Sequence, residues 1–294
     1  MPDYWLKDQK DLLGMILDRS RSLGMKPVLP CFPGFVPQEV LKKNPGSTAR
    51  QLTTWNNFNC PNYSWCASLY LLDPGSVLYS EISQAFVKQL IADFGTDHLY
   101  SCDLFNENGI PGGVDPVEYL NTVGKGVYNS LAAVDPDAIW VMQGWMLENS
   151  GQWTPALAEA LLTSVPIGSM LVLDLYAEMF PQYPKFKSFY GQPFVFCLLN
   201  NFGGRKGMFG DIEDVVQGPR KALNFENSSL AGIGIAPEGI HSNYVLYDVF
   251  LELPLYLSKD QNHDVDVEAW THEYGMRRYG LSMGSDIHDW HSVT

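Results

Sequence analysis

The sequence predicts an α/β fold, a (β/α)8 barrel of the TIM type carried in part: about six βα units, with the start of a C-terminal helical domain behind them. Three observations predict it. Segments of helical and strand period alternate along the chain, which implies a parallel sheet joined by right-handed crossovers. Polar and aromatic residues gather just after each strand-like run (Asn106-Glu107, Gly144-Trp145, Asp174 and Glu178, Asn200-Asn201, Pro237-Glu238), as at the carboxyl end of such a barrel. A doubly wound sheet obeys a similar rule, but its glycine-rich phosphate loop after the first strand is missing. Gly232-Ile233-Gly234 lies inside a strand instead.

The elements follow in order. Leu6 to Leu23 reads as an amphipathic helix closed by Gly24, with Lys26 to Pro30 as the first strand. The stretch from Cys31 to Ser76 reads as a long, aromatic-rich loop, a length usually kept for function. A helix from about Ser80 to Phe94 carries Ile82, Ala85, Phe86 and Leu90 on one face and stops at Gly95; Leu99 to Leu104 is the second strand. Asp115 is suited to an N-cap, Pro116 to the first helical position and Glu118 to a capping box. Leu120, Val123, Val127, Leu131 and Val134 continue that helix at its own period.

Ala138 to Gln143 is the third strand, Thr154-Pro155 opens another helix, and Met170 to Leu175, Phe194 to Leu199 and Gly232 to Ala236 complete the strands. A closed barrel requires eight strands. Six strands are counted and the chain opens in a helix, so either two strands escape the pattern or the first two βα units are absent; the second is the expectation. Past about Gln261 the character changes, and Val265 to Tyr279 reads as one helix unlike the barrel units. The expected domains are therefore a partial barrel over residues 1–262 and the beginning of a helical domain over 263–294.

Composition narrows the function. The chain has 294 residues, 46% apolar and 18% charged, enough for a full core and unlike a disordered chain. The net charge of −14 and the lack of a basic stripe exclude a nucleic-acid partner. That charge also stands against a strongly anionic polysaccharide unless the site is locally positive or the working pH is low. No apolar run approaches a membrane span, and Met1 to Asp8 has neither the basic nor the apolar region of a signal peptide.

Five cysteines are too few for a disulfide scaffold. Cys60 and Cys66 bracket one loop, as a disulfide or as two free thiols. Cys31, Cys102 and Cys197 read as core or pocket-wall residues. No spacing resembles a metal site, and no cofactor is expected. Asn62-Tyr63-Ser64 and Asn227-Ser228-Ser229 fit the glycosylation acceptor pattern.

Two segments carry chemistry: Asp103-Leu104-Phe105-Asn106-Glu107 and Ile235-Ala236-Pro237-Glu238-Gly239. Each ends a strand with a glutamate. Two carboxylates at the strand ends of one architecture are what glycosidic cleavage needs, one as acid then base, the other as nucleophile or water activator. Asn106, beside the acid, is placed to hold a substrate hydroxyl or acetamide, or to cap the strand end. Trp145 follows a strand and suits a sugar-ring wall. Trp55, in the long loop, admits a lid role or simple packing. Asp174 and Glu178 admit a second carboxylate pair, but Asp174 reads rather as hydrogen-bonded support near the site and Glu178 as solvated.

A family resemblance then becomes visible. Lys26-Pro27-Val28-Leu29-Pro30, Phe94-Gly95-Thr96-Asp97-His98, Phe105-Asn106-Glu107, Gln143-Gly144-Trp145 and Val172-Leu173-Asp174-Leu175 are part of it. Asn201-Phe202-Gly203-Gly204, Ala236-Pro237-Glu238-Gly239-Ile240 and Arg278-Tyr279-Gly280 continue it in order. Together they resemble glycoside hydrolase family 89, the alpha-N-acetylglucosaminidases, over about Met25 to Gly280.

The resemblance implies an exo-acting, retaining hydrolase of terminal α-linked N-acetylglucosamine in glycans of the heparan sulfate type or related ones. It implies a lysosomal, vacuolar or secreted location. By the family pattern Glu107 matches the general acid/base and Glu238 the nucleophile, while Asn106, Trp145, Leu175 and Trp55 match pocket residues. Phe35 and Asn200 depart from it, standing where a polar residue and a histidine are common. By the same pattern the sugar-binding residues of the first two strands and of the helical domain have no counterpart. The competing expectations are a catalytically silent, carbohydrate-binding barrel fragment and a retaining glycosidase with another sugar preference.

Overall fold

The computed structural model describes residues 2–52, 69–105, 109–149, 151–202, 209–257 and 265–280. The chain divides into two compact units, Met1–Leu171 and Val172–Thr294.

In the first unit, helix α1 (Asp3–Ser22) precedes strand β1 (Leu29–Pro30). Only Leu17 of this helix is buried, so its hold on the unit is largely ionic. Arg21 donates twice to Asp97 Oδ2, at 2.9 and 2.7 Å, and once to the Phe94 carbonyl. Lys10 pairs with Asp93 at 2.6 Å.

Next come β2 (Phe35–Pro37), α2 (Gln38–Lys43), β3 (Ala49–Gln51) and β4 (Leu69–Leu72). The Cys31 to Ser76 stretch is therefore not one loop. It builds an antiparallel sheet in the order β2-β4-β3, with Phe35 opposite Leu71 and Arg50 opposite Leu71. Strands of three or four residues are too short for alternation to reveal. Phe35 opens β2, and Trp55, Cys60 and Cys66 lie outside the described residues.

Helix α3 (Val77–Phe94) begins at Ser76, whose side chain accepts from the Tyr79 amide, and ends at Gly95 with φ 72°. After β5 (Leu99–Ser101), helix α4 (Pro116–Ala132) starts as its sequence predicts: the Asp115 carboxylate accepts the Glu118 amide, with proline in the first turn. Its Leu120, Val123, Val127 and Leu131 form one buried stripe. At Gly124 a Cβ would overlap the Ser164 side chain, so the helix packs where only glycine fits. Strand β6 (Ile139–Gln143), a 3-10 turn and α5 (Pro155–Leu162), capped by Thr154, lead to β7 (Met170–Asp174).

The second unit adds β8 (Phe194–Leu198), α6 (Ile212–Leu223), β9 (Leu230–Ile235), α7 (Tyr244–Glu252) and α8 (Val267–Tyr279). Its core is aromatic: Phe194 stacks on Tyr183 at 5.5 Å and touches Phe189 at 5.1 Å. Between β7 and β8, Lys187 to Tyr190 all have φ near +50°, a left-handed turn costing about 1–2 kcal/mol per residue. Ser229 holds it, its hydroxyl meeting the Ser188 and Gln192 carbonyls at 2.8 and 2.7 Å.

Hydrogen bonding orders six strands as β1-β5-β6-β7-β8-β9, with parallel pairing at β1/β5, β5/β6, β7/β8 and β8/β9. This is the six-stranded parallel sheet with helical crossovers that the sequence predicts, an incomplete (β/α) barrel. The separate antiparallel sheet supplies no further stave. Strand β1 is shorter than expected and β9 begins two residues earlier.

Candidate active site

Parallel strands place their carboxyl ends together. In the second unit the register Asp174–Phe196 and Leu198–Ile235 puts three segments at one end: Leu175 onward, Leu199-Asn200-Asn201, and Ala236-Pro237-Glu238. Glu238 stands exposed in the segment after β9, and Leu175 is half-buried directly after β7. In the first unit Trp145 is half-buried in the 3-10 turn that follows β6. Asn106, Glu107 and Trp55 lie outside the described residues.

Asp174, the last residue of β7, is buried, and its carboxylate accepts the amides of Gln182 and Tyr183 at 3.0–3.2 Å. Burial pushes its pKa up to about 7, with the two amides pulling the other way and Glu178 adding repulsion. Burial, helped by Asp174 and Glu178, likewise lifts the Cys197 thiol to about 12, so this buried cysteine stays protonated and inert.

Glu178 corrects the sequence reading. It is part-buried rather than solvated, and its carboxylate accepts the Asn200 amide at 2.6 Å and the Leu199 amide at 3.1 Å. These amides lie just past the β8 ladder, so the carboxylate replaces the partner they lack. Asn200, where histidine is common in the resemblance, is buried with φ 59°.

The second correction concerns cysteine. Cys31 and Cys102 are buried, as expected, but joined in a disulfide with Cα atoms 5.2 Å apart. They follow the neighbouring strands β1 and β5, whose register sets Pro30 beside Ser101. The bridge therefore ties together two strand ends, five residues ahead of Glu107.

At the opposite ends of β5 and β6, Asp135 is held by Tyr100 (2.7 Å), His98 (2.8 Å) and Thr96 (3.1 Å). Burial opposes its charge, and these hydrogen bonds outweigh burial and keep its pKa below the ordinary value. His98, Asp135 and Asp137 bring possible ligand atoms within 4.8 Å. The Asp135 oxygens are already engaged, so the group reads as a structural knot.

Residues 1–256 match the family described as the alpha-N-acetylglucosaminidase (NAGLU) tim-barrel domain. The chain belongs to that family. It is 42% identical over 283 residues to human alpha-N-acetylglucosaminidase, covering 96% of this chain and 37% of the human protein. A family 89 glycoside hydrolase from Clostridium perfringens in complex with PUGNAc superposes with a TM-score of 0.80 at 26% identity, over 99% of this chain and 31% of that one. The same enzyme with two glutamates replaced by glutamine, bound to its substrate GlcNAc-alpha-1,4-galactose, superposes at 0.79 and 25% identity, over 99% of this chain and 31% of that one. The chain thus spans about a third of the length of these relatives.

Glu238, Trp145 and Leu175 each lie in the segment that follows a strand: β9, β6 and β7 respectively. Sequence reading placed Glu178 in solvent and missed the Cys31–Cys102 bridge. No side-chain pattern signals the first, since Glu178 accepts from the main-chain amides of Leu199 and Asn200. For the second, the matching places of two cysteines after adjacent strands were the signal.

Proposed function

We propose that the protein is an exo-acting glycoside hydrolase that removes terminal non-reducing α-linked N-acetylglucosamine with retention of configuration. The observation that carries this reading is the exposed Glu238 at the carboxyl end of β9 in a chain of the NAGLU barrel-domain family. The Clostridium relative, named as bound to its GlcNAc-alpha-1,4-galactose substrate with two glutamates changed to glutamine, supports a paired-glutamate chemistry. Residues 1–262 serve as the barrel portion and 263–294 as the beginning of a helical domain.

In this reading the Glu238 carboxylate attacks the anomeric carbon as the bond to the leaving oxygen breaks, and Glu107 gives that oxygen its proton. Glu107, now a carboxylate, takes a proton from water attacking the same carbon, which frees Glu238. Retention needs the two carboxyl groups about 5–5.5 Å apart. Asn106 holds a substrate hydroxyl or the acetamide, Trp145 flanks the ring, Leu175 lines the pocket and Trp55 covers it. No metal or cofactor is required.

The reading includes a lysosomal, vacuolar or secreted location. The Cys31–Cys102 disulfide suits an oxidising compartment, and Asn227 of the second acceptor triplet is exposed. A second reading, glycan binding without turnover, is favoured by one observation: among the described residues β1 and β9 are the two ends of the sheet order, not joined to each other. Release of aryl aglycone from α-N-acetylglucosaminide, α-N-acetylgalactosaminide and α-glucoside separates the readings. Turnover of the first alone is expected. Turnover only of another sugar overturns the substrate, and binding without release favours the second reading.

A further inference from the structure

We infer that Glu178 is a positioning residue that, through Asn200 and Asn201, fixes the loop carrying Glu238. The inference rests on the reading of Glu238 as the nucleophile. The chain of contacts begins in the turn after β7. There the Glu178 carboxylate accepts the amides of Leu199 and Asn200, at 3.1 and 2.6 Å, immediately past the end of β8. Both amides lie past the β8 ladder, where the carboxyl oxygens are the partners found for them. At this point the chain bends into the left-handed conformation of Asn200, φ 59°.

That bend aims two buried asparagines at the Glu238 loop. Asn200 Oδ1 accepts the Asn243 amide at 3.2 Å, and its Nδ2 donates to the Phe209 carbonyl at 2.8 Å. The Asn201 carbonyl accepts the Gly239 amide at 2.6 Å, while Asn201 Nδ2 donates to the His241 carbonyl at 2.7 Å. With the Ala236 amide on the Leu198 carbonyl at 2.9 Å, the segment 236–243 is tied to the end of β8 at four residues. Tyr247 steadies the same end, its hydroxyl donating to the Leu199 carbonyl at 2.8 Å.

Glu238 itself is exposed, so its carboxylate is placed by its main chain rather than by a packed surround. Gly239 is the point of closest approach. A Cβ there would sit 2.7 Å from the Asn201 carbonyl oxygen and 2.8 Å from Asn201 Cγ. Glu178 thus acts at second hand: its hold on two amides sets a bend, the bend sets two asparagines, and they set the nucleophile's backbone. A displacement of about 1 Å at a reacting group costs up to ~100-fold in rate, so such a clamp acts on kcat more than on binding.

The test uses Glu178→Ala and Glu178→Gln in the full-length protein. It reads steady-state kinetics on an aryl α-N-acetylglucosaminide and amide exchange resolved by peptide. Glu178→Ala is expected to lower kcat by ~10–100-fold with KM within ~threefold. Glu178→Gln keeps one acceptor oxygen and should recover part of that loss. Exchange should quicken in peptides covering 199–201 and 236–243 and stay unchanged in β7. If Glu178→Ala unfolds, Glu178→Gln with the exchange comparison carries the test. Wild-type exchange across 236–243 in the folded variants overturns the inference, as does acceleration spread evenly over the second unit. Should the wild-type protein release no N-acetylglucosamine, the activity reading fails, while the exchange pattern still decides the clamp.

Discussion

The main-chain amide of Gly239 donates to the carbonyl of Asn201 at 2.6 Å, joining the residue after Glu238 to the residue pair after β8. A side chain on Gly239 would meet that carbonyl oxygen at 2.7 Å, and the backbone on both sides is tied. Gly239→Ala should therefore move the Glu238 loop. The expected result is a ~10–100-fold fall in kcat and a stability loss of about 1–3 kcal/mol. Kinetics and an unfolding curve check both. Wild-type kcat in the variant would show that the loop tolerates a shift.

The roles of the two glutamates predict an asymmetry. Glu238→Ala should abolish turnover of every substrate, because no glycosyl-enzyme forms. Glu107→Ala should spare the first step for leaving groups that need no proton, and azide should then speed release of the intermediate. Rates measured with activated and unactivated glycosides, with and without azide, check this. Equal losses for both substrates in both variants would contradict the assignment.

Buried Asp174 predicts a pH dependence of stability with a definite sign. Its pKa rises from 3.8 to about 7 on folding, so between those values the folded chain keeps a proton that the unfolded chain has released. Stability from this group is full below about pH 4 and is lost as pH rises to about 7. The span amounts to ~4 kcal/mol at ~1.4 kcal/mol per unit. Unfolding midpoints across pH 4 to 8 should fall through that window in the wild type and flatten in Asp174→Asn. Parallel curves would remove Asp174 as the cause.

The Cys31–Cys102 bridge closes a separation of 71 residues. Loop-closure entropy over that length stabilises the fold by about 4 kcal/mol. The double variant Cys31→Ala, Cys102→Ala should lower the denaturant midpoint accordingly. An unchanged midpoint would mean that the bridge contributes nothing to stability.

The parallel strands were legible because each is an apolar run that stops at a polar or glycine-rich turn, as at Gln143-Gly144 and Leu199-Asn200. Helix α4 was legible from Asp115-Pro116 and its stripe of four buried residues. The antiparallel sheet was not, since strands of three or four residues carry no readable period. Helix α6 escaped notice, with Gly218 and Pro219 inside it despite an Asp211 cap. The placement of Glu238 could be read from its strand. Glu178 could not, because its partners are main-chain amides 21 and 22 residues away, and no side-chain pattern records them.

The stereochemistry of the first product formed decides whether hydrolysis passes through a glycosyl-enzyme on Glu238. Proton NMR of an aryl α-N-acetylglucosaminide during its first minutes of hydrolysis distinguishes the anomers before they equilibrate. With retention, α-N-acetylglucosamine appears first and the β-anomer grows in only by mutarotation. Initial release of the β-anomer would contradict a glycosyl-enzyme on Glu238.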